Sequence, residues 1–208
     1  MFYKPGEPHG LPHNPLISCV VPRPIGWIST LDTQGVSNLA PFSLFNLVRY
    51  DPPVVMFSAN GRHGDGGIKD SVVNARTTGE FVYNMATWDA RQACNESSAS
   101  FDRGVSEFEA LNVETLPSKL VRPRRVKNSP VQFECKTSLV IELPSSGPAS
   151  APNTIVFGDV VGIHIADWAL KDGIIDIPAI RPLARMGYLD FTSVDSVFPM
   201  PPIGAAKV

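Results

Sequence analysis

The sequence predicts a mainly β protein, an antiparallel barrel with short helical insertions, and three observations lead there. Twenty prolines, clustered at the two ends and across 117–152, terminate helices and confine strands to edges or short pieces. Between five and seven runs show the period-two alternation or the continuous apolar character of strands. The helical patterns between them are too few to supply the crossovers that a parallel sheet requires. At 208 residues the chain suits one large domain with a sizeable core.

Taken in order, residues 1–15 form an extended arm, because Pro5, Pro8, Pro12 and Pro15 exclude helix and little there can pack. Residues 16–21 read as a short strand and 25–31 as a second, after Pro22 and Pro24. Asp32, Thr33, Gln34 and Gly35 make a hairpin turn that sends 36–43 back beside the second strand. Asp51, Pro52 and Pro53 then break the chain before 54–58, a run apolar on both faces and therefore buried.

A helix is expected from about Gly67, where Ile68, Val72 and Val73 share a face and Lys69, Asp70 and Asn74 take the other; it ends before Gly79. Residues 80–85 are the next strand. Thr87 reads as the N-cap of a helix reaching about Ser97. The stretch 98–130 is mixed, with a short helix around 108–111. Residues 131–143 form a long strand that pairs with 154–165 across a Pro/Ser/Gly-rich loop at 144–153, and 183–191 closes the series. The domain is placed at 16–195, followed by a proline-rich tail at 196–208.

Charge narrows the function. Eighteen basic against twenty acidic residues give a net charge of -2, which offers no electrostatic reason to bind nucleic acid or an acidic membrane and leaves a small molecule as the expected partner. The N-terminus has no basic region followed by an apolar core, and no run reaches the ~18 apolar residues of a membrane span. A soluble, cytoplasmic protein is expected. Cys19, Cys94 and Cys135 are odd in number and far apart, without disulfide or zinc spacing, and His9, His13, His63 and His164 lack metal-ligand spacing. His164 reads as a satisfied sheet residue, and Trp27, Trp88 and Trp168 as core or interface anchors. No nucleophile elbow or Cys/His pairing supports hydrolysis.

The chemistry is expected along 23–60, a segment rich in backbone hydrogen-bonding groups and hydroxyls but nearly uncharged. A flat ligand with polar edges, such as a flavin ring, can be read there without ionised side chains. Its slot would be Asn38, Leu39, Ala40, Pro41, Phe42 and Ser43. A phosphate could be held by Arg62, Lys69 and Ser71, where Gly64, Gly66 and Gly67 let the backbone approach and a helix N-terminus adds partial positive charge. Ser29 and Thr30 could supply hydroxyls. On composition alone, Arg62 and Lys69 are also readable as solvated charges, and 38–43 as a strand leaving a polar loop.

The order RPIGWISTLD, VSNLAPFS, DPPVVMFS, IKDSVVNARTTGEFVYN and NTIVFGDVVGIHI resembles the flavin reductase-like family of FMN-binding split-barrel proteins, over roughly residues 15–190. The resemblance implies a six-stranded, Greek-key-like split barrel and a homodimer with one FMN, rather than FAD, per subunit. By position it implies flavin contacts from Ser29, Thr30, Asn38 to Ser43, Ser58, Ala59, Asn60, Lys69, Asp70 and Ser71. Arg62 would join the phosphate site, and Arg23 lies close enough upstream to reach the cofactor. The implied activity is oxidation of NADH or NADPH, with FMN passing electrons to a small-molecule acceptor or a partner oxygenase that the sequence does not identify. One departure bears on this: where reductases of the family commonly carry a His before the FG(D/E)V strand, this chain has Asn153 and Thr154. A non-catalytic FMN carrier or redox sensor is the alternative.

Overall fold

The computed structural model describes residues 1–144 and 152–200. Its principal sheet contains Gly26–Leu31 (β1), Ser37–Phe42 (β2), Phe45–Tyr50 (β3), Pro53–Asn60 (β4), Glu80–Met85 (β5), Val131–Leu143 (β6) and Asn153–Ile165 (β7). They are ordered β2-β1-β5-β6-β7-β4-β3, and each adjacent pair is antiparallel. Four short helices are inserted among the described residues: Asp70–Thr78 (α1), Arg91–Glu96 (α2), Glu107–Ala110 (α3) and Ile177–Ile180 (α4). A smaller sheet pairs Arg23–Pro24 with Leu183–Gly187 (β8), which pairs in turn with Asp190–Ser193 (β9). No described helix is long and apolar enough to cross a membrane.

Strand periodicity sorts the side chains into two cores. Ile28, Val55, Phe57, Phe81 and Val156 are fully buried inside the curled sheet, each contributing about 1.5–3 kcal/mol of apolar transfer. The alternate residues of β1 and β2, Trp27 and Leu39, pack outward against Cys94, Phe108 and Leu183 in a second cluster. Consequently β1 is buried on both faces. The sheet closes by side chains, not by a ladder: Phe42 on β2 meets Phe57 on β4 with ring centroids 4.8 Å apart. Gly158 on β7 is needed where the Phe81 ring lies against the strand, because a side chain there would run into it.

Local chemistry sets the turns. Asp32 Oδ1 accepts from the N–H groups of Gln34 and Val36, each at 2.8 Å, and so shapes the β1–β2 hairpin. Gly79 ends α1 at φ 72° and donates to Ala75 O at 3.1 Å. A buried carboxylate organises the proline-punctuated stretch before β6. Glu134, with no exposed surface, accepts from the N–H groups of Lys119 (2.8 Å), Leu120 (2.5 Å) and Val121 (3.1 Å) and lies 2.5 Å from His164 Nε2. His164 is thus satisfied within the sheet.

Several expectations are corrected. Residues 15–18 form a 3-10 turn instead of starting a strand, because Pro15 occupies its first position and Asn14 Oδ1 accepts from Leu16 N–H. β3 lies in a stretch to which the sequence reading assigns no element; it is an edge strand with five exposed residues of six, so it lacks an apolar stripe. Its presence gives the principal sheet seven strands instead of six. α1 begins at Asp70, three residues late, and buries Ser71, Val72, Asn74 and Ala75 while Ile68 and Val73 are exposed. α2 starts at Arg91, since Thr87 bridges to Pro182 instead of capping. The closing segment is a hairpin of β8 and β9, with Tyr188 at φ 43° in its turn. Trp27 is buried, whereas Trp88 and Trp168 are exposed. Cys94 and Cys135 are buried and Cys19 is exposed. Most of loop 144–153 and of the tail 196–208 lies outside the described residues.

Candidate functional site

Three cavities meet where β2 leaves the sheet, and Pro41 lines all of them. The first, of about 350 Å³, has Asn38, Ala40, Pro41 and Phe42 on one side. Arg62 and His63 from the loop before α1, with Lys69, Asp70 and Ser71 from its start, take another side, and residues 97–101 with Glu107 complete it. The second, of about 550 Å³, lies between Leu16, Ile17 and Val20 of the N-terminal turn and residues 41–44, with Arg23, Ser58 and Asn60 at its border. Phe42 belongs to both.

The first cavity is electropositive at one end. No side chain caps the first turn of α1 among the described residues; Val72 N–H donates to Lys69 O at 3.0 Å, which leaves the Asp70 and Ser71 N–H groups and the partial positive charge of the helix beside Lys69. Lys69 Nζ has no anionic partner among the described residues, and Arg62 Nη1 donates to Gly66 O at 3.0 Å. Asp70 would repel an anion there, but it is paired with Arg103, which also clamps Asp65 and donates to Ile68 O at 3.0 Å. His63 lies beside this clamp, with Nδ1 3.1 Å from Asp65 and Nε2 3.0 Å from Phe101 O.

Glu107 is the second acid of this cavity. It is nearly buried, its Oε2 accepts from Leu39 N–H at 2.8 Å, and the Asn38 amide bridges it at 3.3 Å to Ser71 Oγ at 2.9 Å. Desolvation raises its pKa above the ordinary carboxyl value. The folded state therefore holds this proton more tightly than the unfolded chain. Stability falls as pH rises from the unfolded value through the raised one, and the loss persists above both. Glu107→Gln keeps the acceptor without the charge. Its melting temperature is expected to exceed that of the parent at pH 8, with the difference closing at pH 4; a pH-independent difference in differential scanning fluorimetry would refute this.

The expected site residues divide into three groups. Asn38, Ala40, Pro41, Phe42, Arg62, Lys69, Asp70 and Ser71 are brought together at the first cavity. Arg23, Ser43, Ser58 and Asn60 join Pro41 and Phe42 at the second. Ser29, Thr30, Leu39 and Ala59 reach neither: Ser29 Oγ donates to Arg124 O at 2.6 Å, and Thr30 Oγ1 accepts from Asn74 Nδ2 at 3.1 Å, which anchors α1. Leu39 and Ala59 are core side chains. Sequence reasoning missed His63, Glu107 and the hydroxyl-rich run 97–101. That run, SSASF, repeats the uncharged, hydroxyl-bearing character of 38–43 and was a usable signal. Asn153 lies opposite Asn60 in register, bonds to its side chain and accepts from Ser58 Oγ at 3.1 Å.

The antiparallel strands and the inserted short helices make up a split-barrel fold. The chain belongs to the flavin reductase-like family: residues 17–180 match the family described as "Flavin reductase like domain". It is 35% identical over 173 residues to an uncharacterized protein of Aquifex aeolicus (strain VF5), covering 83% of this chain and 84% of that one. Nitrilotriacetate monooxygenase component B from Bacillus cereus is similar in structure, with a TM-score of 0.86 and 25% identity over 96% of this chain and 98% of that chain. Flavoredoxin of Desulfovibrio vulgaris (Miyazaki F) shares the fold at a TM-score of 0.76 and 17% identity, with full coverage of both chains. The resemblance noted in the sequence and the split-barrel fold it implied are borne out.

Proposed function

We propose that the protein is an FMN-binding oxidoreductase that draws electrons from NADH or NADPH. One observation carries this reading: a cavity with an uncapped helix N-terminus and a lysine that has no anionic partner among the described residues adjoins an apolar slot through the shared residues Pro41 and Phe42. A phosphate dianion suits the first and a planar ring the second. FMN is preferred to FAD because a terminal phosphate uses both the lysine charge and the helix terminus. The donor set also fits, since Arg23 Nε is buried without a partner among the described residues while its Nη1 donates to Ile17 O and Val20 O, both at 2.7 Å.

The bound cofactor supplies hydride chemistry, and the chain supplies position and electrostatics. Lys69 and Ser71 fix the phosphate, and the strand end at 41–43 orients the ring. Arg103 neutralises Asp70 so that the phosphate end stays attractive. The test is the purified protein's pigment and its response to reductant. A yellow preparation yielding FMN on extraction, bleached anaerobically by NADH or NADPH, is the expected result; unbleached flavin would reject the nicotinamide half.

A carrier or redox-sensing role without sustained turnover is the second reading. Asn153 favours it, because the side chain bonded to Ser58 and Asn60 is a neutral amide and not an ionisable imidazole. A carrier would be reduced once and stall in a steady-state assay.

A homodimer accompanies either reading. Leu139, Ile141 and Leu143 on β6 and Leu47, Val48 and Tyr50 on β3 are exposed apolar side chains that a two-fold partner would bury. Light scattering is expected to give twice the chain's 22.5 kDa, and a monomer mass would count against it.

A further inference from the structure

The third cavity, of about 430 Å³, opens on the far side of Pro41 and Ser43 and is built from α2, β8 and β9. It lies toward the lower end of the roughly 300–1,000 Å³ range of small-molecule sites. Its lining contains two cations, Arg91 and Arg185, and no acid, in a chain whose net charge is -2. Both guanidinium groups lie over aromatic rings. Arg91 Cζ lies 4.1 Å over Trp88 while its Nη1 donates to Trp88 O at 2.8 Å. Arg185 Cζ lies 4.4 Å over Phe191, and its Nη2 donates to Tyr188 O.

Pinned in this way, each arginine keeps further N–H donors and gives up little rotamer freedom when a ligand binds. The rest of the lining combines the buried apolar side chains Ile25 and Leu183 with the neutral polar side chains Gln92, Asn95, Ser98 and Thr192. Two preorganised cations, two aromatic rings and no acid in one lining suit a planar aromatic body ending in an anion. The register supports a connection with the neighbouring slot, since Arg185 pairs directly with Arg23.

We propose that this cavity binds a small aromatic carboxylate beside the flavin groove, through Arg91 and Arg185. Its placement next to the cofactor rests on the FMN reading, because Pro41 and Ser43 wall both spaces; the arginine pocket itself does not depend on that reading.

The experiment is calorimetric titration of the full chain, with and without FMN, using benzoate as the probe and benzamide and acetate as controls. Benzoate is expected to bind saturably at one site per chain. Benzamide, lacking the charge, and acetate, lacking the ring, should each bind at least about tenfold more weakly. Arg91→Gln and Arg185→Gln should each weaken benzoate about tenfold or more while leaving FMN affinity unchanged. Arg91 is exposed on α2, so its variant preserves the test should the change at Arg185 disturb β8. Equal binding of benzamide or acetate, unchanged benzoate affinity in a folded Arg91→Gln, or no saturable heat in a chain that takes up FMN would overturn the proposal. Benzoate binding in a chain that refuses FMN would support the arginine pocket and sink the flavin reading.

Discussion

Replacing Glu134 with alanine lowers the free energy of unfolding by about 3–5 kcal/mol, the range for breaking a buried, fully bonded charge. The side chain is the acceptor for three consecutive backbone N–H groups, at Lys119, Leu120 and Val121, and for His164. Alanine would take away the one acceptor that these donors share and leave the buried Val121 N–H unpaired. Burial alone would raise the pKa of this carboxyl. The Lys119 and Leu120 amides and His164 outweigh that, so the net shift is downward. A carboxyl depressed in the folded state stabilises fully above its unfolded pKa of about 4.3 and loses that contribution as pH falls through the folded value. Urea denaturation of the parent and of Glu134→Gln should therefore show a constant gap above about pH 5 that narrows in more acidic solution. A gap unchanged down to pH 2 would mean that the carboxylate charge contributes nothing.

The second large effect concerns the cofactor. Lys69→Ala is expected to weaken FMN binding by ~1.5–3 kcal/mol, roughly 10- to 150-fold in Kd, as expected for a lost charge-assisted bond to phosphate. Fluorescence titration of FMN into the apoprotein measures this directly. The fold should survive, because Lys69 lies at the helix boundary and has no charged partner among the described residues whose loss would be felt. Unchanged affinity would move the phosphate end of the site away from α1. Raised salt should weaken the parent more than the variant, since the interaction removed is electrostatic.

How far these features can be read from the residues depends on how local their causes are. The ends of β5 and β6 were legible, because Gly79 and Pro130 punctuate sequences that then run as continuous apolar or alternating strand patterns. β3 was not, since an edge strand with one buried residue carries no pattern to detect. That Arg62, Lys69 and Ser71 come together was legible for a similar reason, as they lie on one short segment and line one cavity. Glu107 could not be placed, because its value comes from a contact with Leu39, 68 residues away. Ser29 and Thr30 show the converse: suitable hydroxyls on a suitable strand, turned toward Arg124 and Asn74 by the tertiary fold.

Pro41 stands in the wall of three chambers at once. Its ring fixes its own backbone angle and bars the residue before it from helical geometry, so the partition is stiff. A stiff partition transmits displacement. Whatever affinity an aromatic acid on one side gains from a seated coenzyme, the coenzyme must gain by the same factor from the acid, because thermodynamic linkage runs equally in both directions.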